Sequence, residues 1–348
     1  MTLLDRPSAA PGTAGGRVRG RAGHADGRGR RGERRLAAGA GWLLVQLGQA
    51  VVTLAAASVI VWLLSGLSGT DPAQRVLASR GVRSPSAEQL AQVRAELGLD
   101  GSVVERYLDW ASGVLHGDLG TSYVSGQRVT EEVFTRLQPT LVLAGTALAM
   151  VLVAALVLGL LAAATRGVTD LAVRMLLIVC AAVPSFVVAL LLIQVVVVRM
   201  GAGVAIADGS LGQVLLPALC VAISAVAIPT RVLRGSLVAG MEERYAMVAR
   251  GRGGGQLYLL LRHALPNSAI PFLHAMALAA AWMIGGTVVV EAVFNWPGVG
   301  SYLVKSVQMG DLPVIQAIVL LATASYIAAS LVADLATAVI DPRVRSRR

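Results

Sequence analysis

Apolar residues in this chain gather into six long runs separated by polar stretches, and the runs have the length of membrane spans. A helix rising about 1.5 Å per residue needs about 20 apolar residues to cross a hydrocarbon core ~30 Å thick. The runs cover 42–64, 140–164, 175–198, 214–232, 270–290 and 313–339, the last interrupted by Asp334. Pro184 and Pro229 predict kinks in the third and fourth runs. The first run exceeds the usual h-region of a signal peptide and has no A-x-A site at a sensible distance, so it is read as a retained span.

Between spans the periodicity changes. Residues 65–139 are too long for a simple connector and should carry structure of their own. Ser86 is placed to cap a helix over 87–97 with Leu90, Val93 and Leu97 on one face and Gly98 ending it. Val103, Tyr107, Trp110, Val114 and Leu115 mark a second amphipathic stretch, broken at Gly117-Asp118-Leu119-Gly120. Val129, Val133 and Leu137 mark a third, leading through Pro139 into the second span. The stripes fit the lining of a substrate route or, as the preferred reading, a small cap that packs on itself and on the bilayer surface. A second polar segment, 235–269, has Val238, Met241, Tyr245, Val248 and Ala249 at helical steps, then Leu257, Leu260, Leu261 and Ala264. This pattern fits an interfacial helix with Arg244, Arg250 and Arg262 snorkelling, or a helix offered to the groove of a soluble partner.

Composition agrees with lipid as the solvent: 55% of residues are apolar and 14% charged, against roughly 25% charged in soluble domains. The net charge of +10 raises the question of nucleic acid, but position answers it. Residues 1–41 hold nine arginines against Asp5, Asp26 and Glu33, and the positive excess recurs at 165–174, 231–262 and 341–348. Residues 65–139 hold seven arginines against nine acids. By the positive-inside rule the basic face is cytoplasmic, with both termini on that side. The charge is therefore topological, and no nucleic-acid partner is expected. Cys180 and Cys220 lie in apolar runs and read as packing residues.

Chemistry that would make the chain an enzyme is missing. No Gly-x4-Gly-Lys-Ser/Thr phosphate loop occurs, and neither the four histidines nor the two cysteines have metal-ligand spacing. No catalytic, cofactor or metal residues are expected, and His274 is read as a helix-packing residue. Three functions fit a six-span chain with these features: a transport subunit driven by a partner, an ion-driven secondary transporter, or a non-transporting membrane scaffold. Inverted repeats and midplane charge, the marks of the second, are not seen.

Particular residues narrow the choice. Met247-Val248-Ala249-Arg250-Gly251-Arg252-Gly253, nine residues, then His263-Ala264-Leu265-Pro266 resembles the E-A-A-x3-G-x9-I-x-L-P signature of ABC-importer permeases. Gly117 to Tyr123, Glu291-Ala292-Val293-Phe294-Asn295-Trp296-Pro297-Gly298-Val299-Gly300, and Asp341 to Arg345 follow in family order. The chain from residue 42 onward is similar to the first membrane subunit of dipeptide/oligopeptide/nickel permeases. It departs from the pattern at Met247, Val248 and His263, and Gly251, Gly253, Gly254 and Gly255 predict two short helices around a joint.

The resemblance implies an all-α membrane protein of six transmembrane helices, a small helical extracytoplasmic segment and a cytoplasmic coupling helix, in a bacterial plasma membrane. The divisions are a disordered basic tail (1–41), a first span (42–64), an extracytoplasmic helical segment (65–139), a five-helix permease core (140–340) with its coupling loop at 235–269, and a short cytoplasmic tail (341–348). It implies import of peptides or similar solutes such as nickel complexes, with no cofactor on this chain. The implied partners are two cytoplasmic ABC ATPase subunits, a second six-span permease, an extracytoplasmic solute-binding protein and the lipid bilayer. Tyr245, Ala249, Arg250, Gly253, His263, Leu265 and Pro266 would couple to the ATPase, with Gly253 allowing close approach or a sharp bend and Pro266 ending the helix. Glu291, Phe294, Pro297, Gly298 and Gly300 would form a turn at the outer face, near a gate.

Overall fold

Most of the runs become helices because a backbone in lipid must satisfy its polar groups within its own segment. The computed structural model describes residues 26–66, 71–165 and 167–340. The chain divides into two compact units, Met1–Gly48 and Gln49–Arg348. In the first, the described residues belong to helix α1 (Asp26–Gly66). Residues 26–41, expected in a disordered tail, are thus helical: extending a helix already nucleated by an apolar span gains one hydrogen bond per residue fixed. Residues 1–25 and 341–348 lie outside the described set.

In the second unit, the segment after α1 holds α2 (Pro72–Ser79), α3 (Ala87–Glu96) and α4 (Val103–Leu115). The pattern had not marked α2, although Asp71 caps it by accepting from Ala73 N and Pro72 occupies its first turn. Ser86 and Ser102 each close a full capping box, with Gln89 and Glu105 reaching back. Ala73, Val76 and Leu77 of α2 pack with Val93, Leu90 and Leu97 of α3.

α5 (Val129–Thr165) is one unbroken helix that absorbs the third amphipathic stretch, Pro139 and the second span. Its residues Leu143, Ala147, Val151, Ala155, Gly159 and Ala163 are buried at successive four-residue steps. Mostly small side chains let the neighbours approach closely, as membrane packing requires. At Gly159 a Cβ would lie 3.0 Å from Leu233 Cδ2 on α9 (Ala227–Glu242).

The third and fourth runs are bent. α6 (Val168–Ala182) and α7 (Ser185–Leu192), continued as a π turn over Ile193–Arg199, meet at 101° with Pro184 at the corner. α8 (Leu215–Ala225) meets α9 at 52°, and Pro229 lies in the first turn of α9. Among the described residues four helices are long and apolar enough to cross a membrane, or up to six if each bent pair counts as one span. α12 (Leu265–Val293) is the central element, packed against α5, α8, α9 and two later helices, α13 (Val299–Met309) and α14 (Leu312–Ile340). α13 had not been marked by the sequence pattern; Gly298 starts it and Gly310, at φ +70°, stops it.

Candidate functional site

The segment after α9 folds as a plate. Extended Glu243 redirects the chain into α10 (Arg244–Gly251). α10 then closes with a Schellman cap: Gly254 N donates to Ala249 O and Gly253 N to Arg250 O, both at 3.0 Å. Gly253 sits at φ +87°, a conformation costly for any residue with a Cβ, so the bend expected there is present. At Gly254 a Cβ would lie 2.8 Å from Ala249 O. α11 (Gln256–Leu259) follows, as the glycine crowding predicted, and Gln256 Nε2 ties it to Ala164 O at the end of α5 (2.7 Å).

One side of the plate packs inward through Ala246, Leu259, Leu260 and Ala264. Half-buried His263 lies between the rings of Tyr245 and Tyr258, at centroid distances of 6.3 and 5.6 Å. The other side leaves Met247, Val248, Leu257, Tyr258 and Leu261 exposed, with Arg250 beside them. The structure thus brings Tyr245, Ala249, Gly253 and His263 into one small body. Leu265 and Pro266 lie in the first turn of α12 instead. Pro266 does not end a helix. A π turn over Leu260–Ala264 precedes it, and the widened turn accommodates a residue without an N–H, so helix continues from Gln256 to Val293.

At the opposite end of α12, Glu291 is fully buried and organises the Glu291–Gly300 turn. Its Oε2 accepts from Gly300 N (2.7 Å) and Ser301 N (3.1 Å), so a carboxyl from α12 caps the N-terminus of α13. Oε1 accepts from Thr140 Oγ1 on α5 (2.9 Å), and the same Oγ1 accepts from Val299 N (2.9 Å). Trp296, also buried, donates its indole N–H to Pro139 O (2.9 Å). A Cβ at Gly298 would collide with Glu291 Oε2 and Thr140 Oγ1, and one at Gly300 would lie 2.5 Å from Val288 Cα. Buried Phe294 offers its carbonyl to Ala207 N (2.9 Å), while exposed Pro297 rests on Gly209. Glu291, Gly298 and Gly300 therefore meet in one knot, with Thr140 as the partner that sequence reasoning missed, while Phe294 and Pro297 reach Ala207 and Gly209 instead.

Two further nodes explain motif residues. Buried Asp311 accepts from Ser122 Oγ and from Tyr123 N (2.9 Å), which anchors the Gly117–Tyr123 stretch at the α13–α14 junction. Tyr302 on α13 donates to Glu132 of α5, and Arg136 stacks 4.0 Å from the Tyr302 ring centre. Burial first, then Glu132, holds the Tyr302 phenol above its ordinary pKa, so it stays a donor.

A third ionic node, on α6 and α9, had not been singled out. Arg234 grips Asp170 through Nε and through Nη2 (2.7 Å), and Arg174 stands 3.3 Å from the same carboxylate. The available signal was Asp170 with Arg174 one turn on, a helical i,i+4 pair; nothing local pointed to Arg234.

Comparison with known proteins gives concordant results. A family profile described as "Binding-protein-dependent transport system inner membrane component" matches residues 155–346, and its N-terminal companion, "Binding-prot-dependent transport system membrane comp, N-term", matches 41–144. The chain is similar to the glutathione transport system permease protein GsiC of Salmonella choleraesuis (strain SC-B67), at 35% identity over 305 residues, 87% of this chain and 98% of that protein. The protein of the same description from Escherichia coli (strain K12) is 34% identical over 296 residues, 85% and 95% of the two chains.

Proposed function

Because the chain belongs to the binding-protein-dependent transport system inner membrane components, as a permease subunit of an ABC importer in the inner membrane, we propose that it carries a peptide-like solute through a pathway shared with a second six-span permease. Family membership sets aside the ion-driven and scaffold alternatives. The relatives' description as glutathione permeases favours a small peptide over a nickel complex. We place the basic loops and both termini in the cytoplasm, two ABC ATPases against the α10–α11 plate, and a solute-binding protein at the opposite face.

The observation that carries this reading is the exposed apolar side of the plate, Met247, Val248, Leu257, Tyr258 and Leu261, flanked by Arg250. A soluble groove closing over it would remove side chains each contributing about 1.5–3 kcal/mol on full burial. On its inner side the plate is packed against α9 and tied to α5, so a push on it is transmitted to two core elements. That is the mechanical requirement for nucleotide-driven closure to rock the spans between two states. A further stripe supports the pathway. Pro271, His274, Leu278, Trp282, Gly285 and Val289 are exposed along α12 at three- and four-residue steps. His274 is exposed within this stripe. A histidine within a membrane helix belongs on a bundle interior or a watered cavity, and this stripe is our candidate for the pathway wall.

The deciding experiment is purification of the chain from its native membrane with identification of stoichiometric partners, in parallel with Gly253→Arg. We expect a P-loop ATPase, a second six-span protein and a binding protein to accompany the wild type, and the ATPase alone to be lost from the variant. Recovery of the chain by itself, or an ATPase held equally by both forms, would overturn the assignment.

A further inference from the structure

Helix α4 has three faces, and one of them is apolar and largely exposed. Trp110, Val103, Val114 and Tyr107 fall on one side; Tyr107 and Trp110 pack on Trp62 of α1, with ring centroids 5.8 and 5.5 Å away. Advancing by 100° per residue, Val104, Leu108, Ala111 and Leu115 form a second arc within about 60°. Three of these are wide open, with 66%, 58% and 87% exposure for Val104, Leu108 and Leu115. Exposed Ser112, Glu105 and Asp109 occupy the remaining side, with half-buried Arg106 at its edge next to Trp110. Around the helix the order is therefore protein, apolar, polar.

We propose that the Val104–Leu108–Leu115 arc is inserted in the bilayer interface, making α4 a lateral anchor that lies in the headgroup region beside α1. The position of α4 on α1 argues for this occupant. Trp62 lies two residues before the end of the apolar span Leu44–Leu64, and Tyr107 shares a 2.9 Å hydrogen bond with Ser58, one turn deeper. Ser58 is six residues inside the span end, about 9 Å down its axis, which matches the ~5–10 Å depth of interfacial helices. A helix held there with α1 on one side must turn its next face to lipid and its far face to water, which is the order observed. Trp62, Tyr107 and Trp110 together form the aromatic cluster expected at a membrane boundary. The flanking charge is acidic (Asp100, Glu105, Asp109 and Asp118 against Arg106), so the anchor is apolar and independent of anionic lipid. This inference does not depend on the assignment of an ATPase or a substrate.

The test is site-directed spin labelling of the full chain in phosphatidylcholine nanodiscs, in a Cys180→Ser/Cys220→Ala background. Labels at Val104→Cys, Leu108→Cys and Leu115→Cys should collide more with oxygen than with a water-soluble nickel chelate, and labels at Glu105→Cys and Asp109→Cys should show the inverse. Adding anionic lipid should leave both patterns unchanged. Nickel-accessible labels on the apolar arc would overturn the proposal, and arc labels shielded from both reagents would assign the face to a protein partner instead. A check in the wild-type background uses Leu108→Glu/Leu115→Glu, which should lift α4 and raise tryptic cleavage after Arg106. Unchanged cleavage would count against the anchor.

Discussion

The two ends of α12 solve opposite problems. At the Glu291 end the polar groups of the turn face inward: a carboxyl, a threonine hydroxyl, an indole N–H and three backbone amides of α13 pair with one another, and Phe294 and Trp296 are sealed. At the Gln256 end the backbone is equally well closed, but the apolar side chains of α10 and α11 point out. One region spends its buried polar groups on itself, and the other has its main chain satisfied so that its side chains can be offered. The difference teaches where to look for rigidity and where to look for recognition, and it can be broken by mutation in order of expected cost to stability.

The largest loss should come from Glu291→Ala. It strands the Gly300 and Ser301 amides and one partner of Thr140, each uncompensated buried group costing ~1–3 kcal/mol. A fall of about 3–5 kcal/mol, read as early unfolding in a detergent thermal melt, is expected. Glu291→Gln keeps one acceptor and should lose less than half of that. Equal stability of Ala and wild type would show that the knot is not what holds α13 to α12. Arg234→Ala comes next. It leaves Asp170 with Arg174 alone, and because Arg234 is partly exposed the loss should be about 1–3 kcal/mol. A double-mutant cycle with Asp170→Asn should return a coupling of at least ~1 kcal/mol; zero coupling would mean the pair is incidental.

How much of this was readable beforehand differs between the same two regions. The helices of the apolar runs, the Ser86 cap and the stop at Gly98 follow from local rules and were legible. Gly253 was legible as a position that needs glycine, and of close approach and a sharp bend the structure has the bend, with open space around it. The knot was visible only as a motif. That Glu291 caps α13 depends on Thr140 about 150 residues earlier, and no local pattern encodes such a meeting. The same holds for Asp311 with Ser122 and for Asp170 with Arg234. The 101° bend at Pro184 was legible only as a kink, since proline reports that a helix is interrupted and not by how much. α13 was missed because its short amphipathic stretch, ended by Gly310, lacked the length that marks a span.

A smaller effect is expected at the joint. Gly253→Ala forces a Cβ into the left-handed region and should cost about 1 kcal/mol, with no clash, since open space surrounds the position. Transport should fall by more than that loss explains, because the cap sets the angle between α10 and α11. A melt and an uptake assay on the same preparation separate the two effects.

The smallest stability change should come from Val248→Asp and Leu257→Asp, whose side chains are more than half exposed. Surface substitutions of this kind stay within about 0.5 kcal/mol, so the melts should overlay that of the wild type. Binding should behave differently. If the plate sits in an ATPase groove, each carboxylate would be desolvated there without a partner, and a loss of 2 kcal/mol or more corresponds to at least ~30-fold weaker association. Association can be measured by titrating the ATPase onto the chain in nanodiscs. A normal melt with lost binding would confirm that the two ends of α12 divide structure from recognition. A normal melt with normal binding would leave the exposed face without a partner in the ATPase and move the search to the stripe on α12.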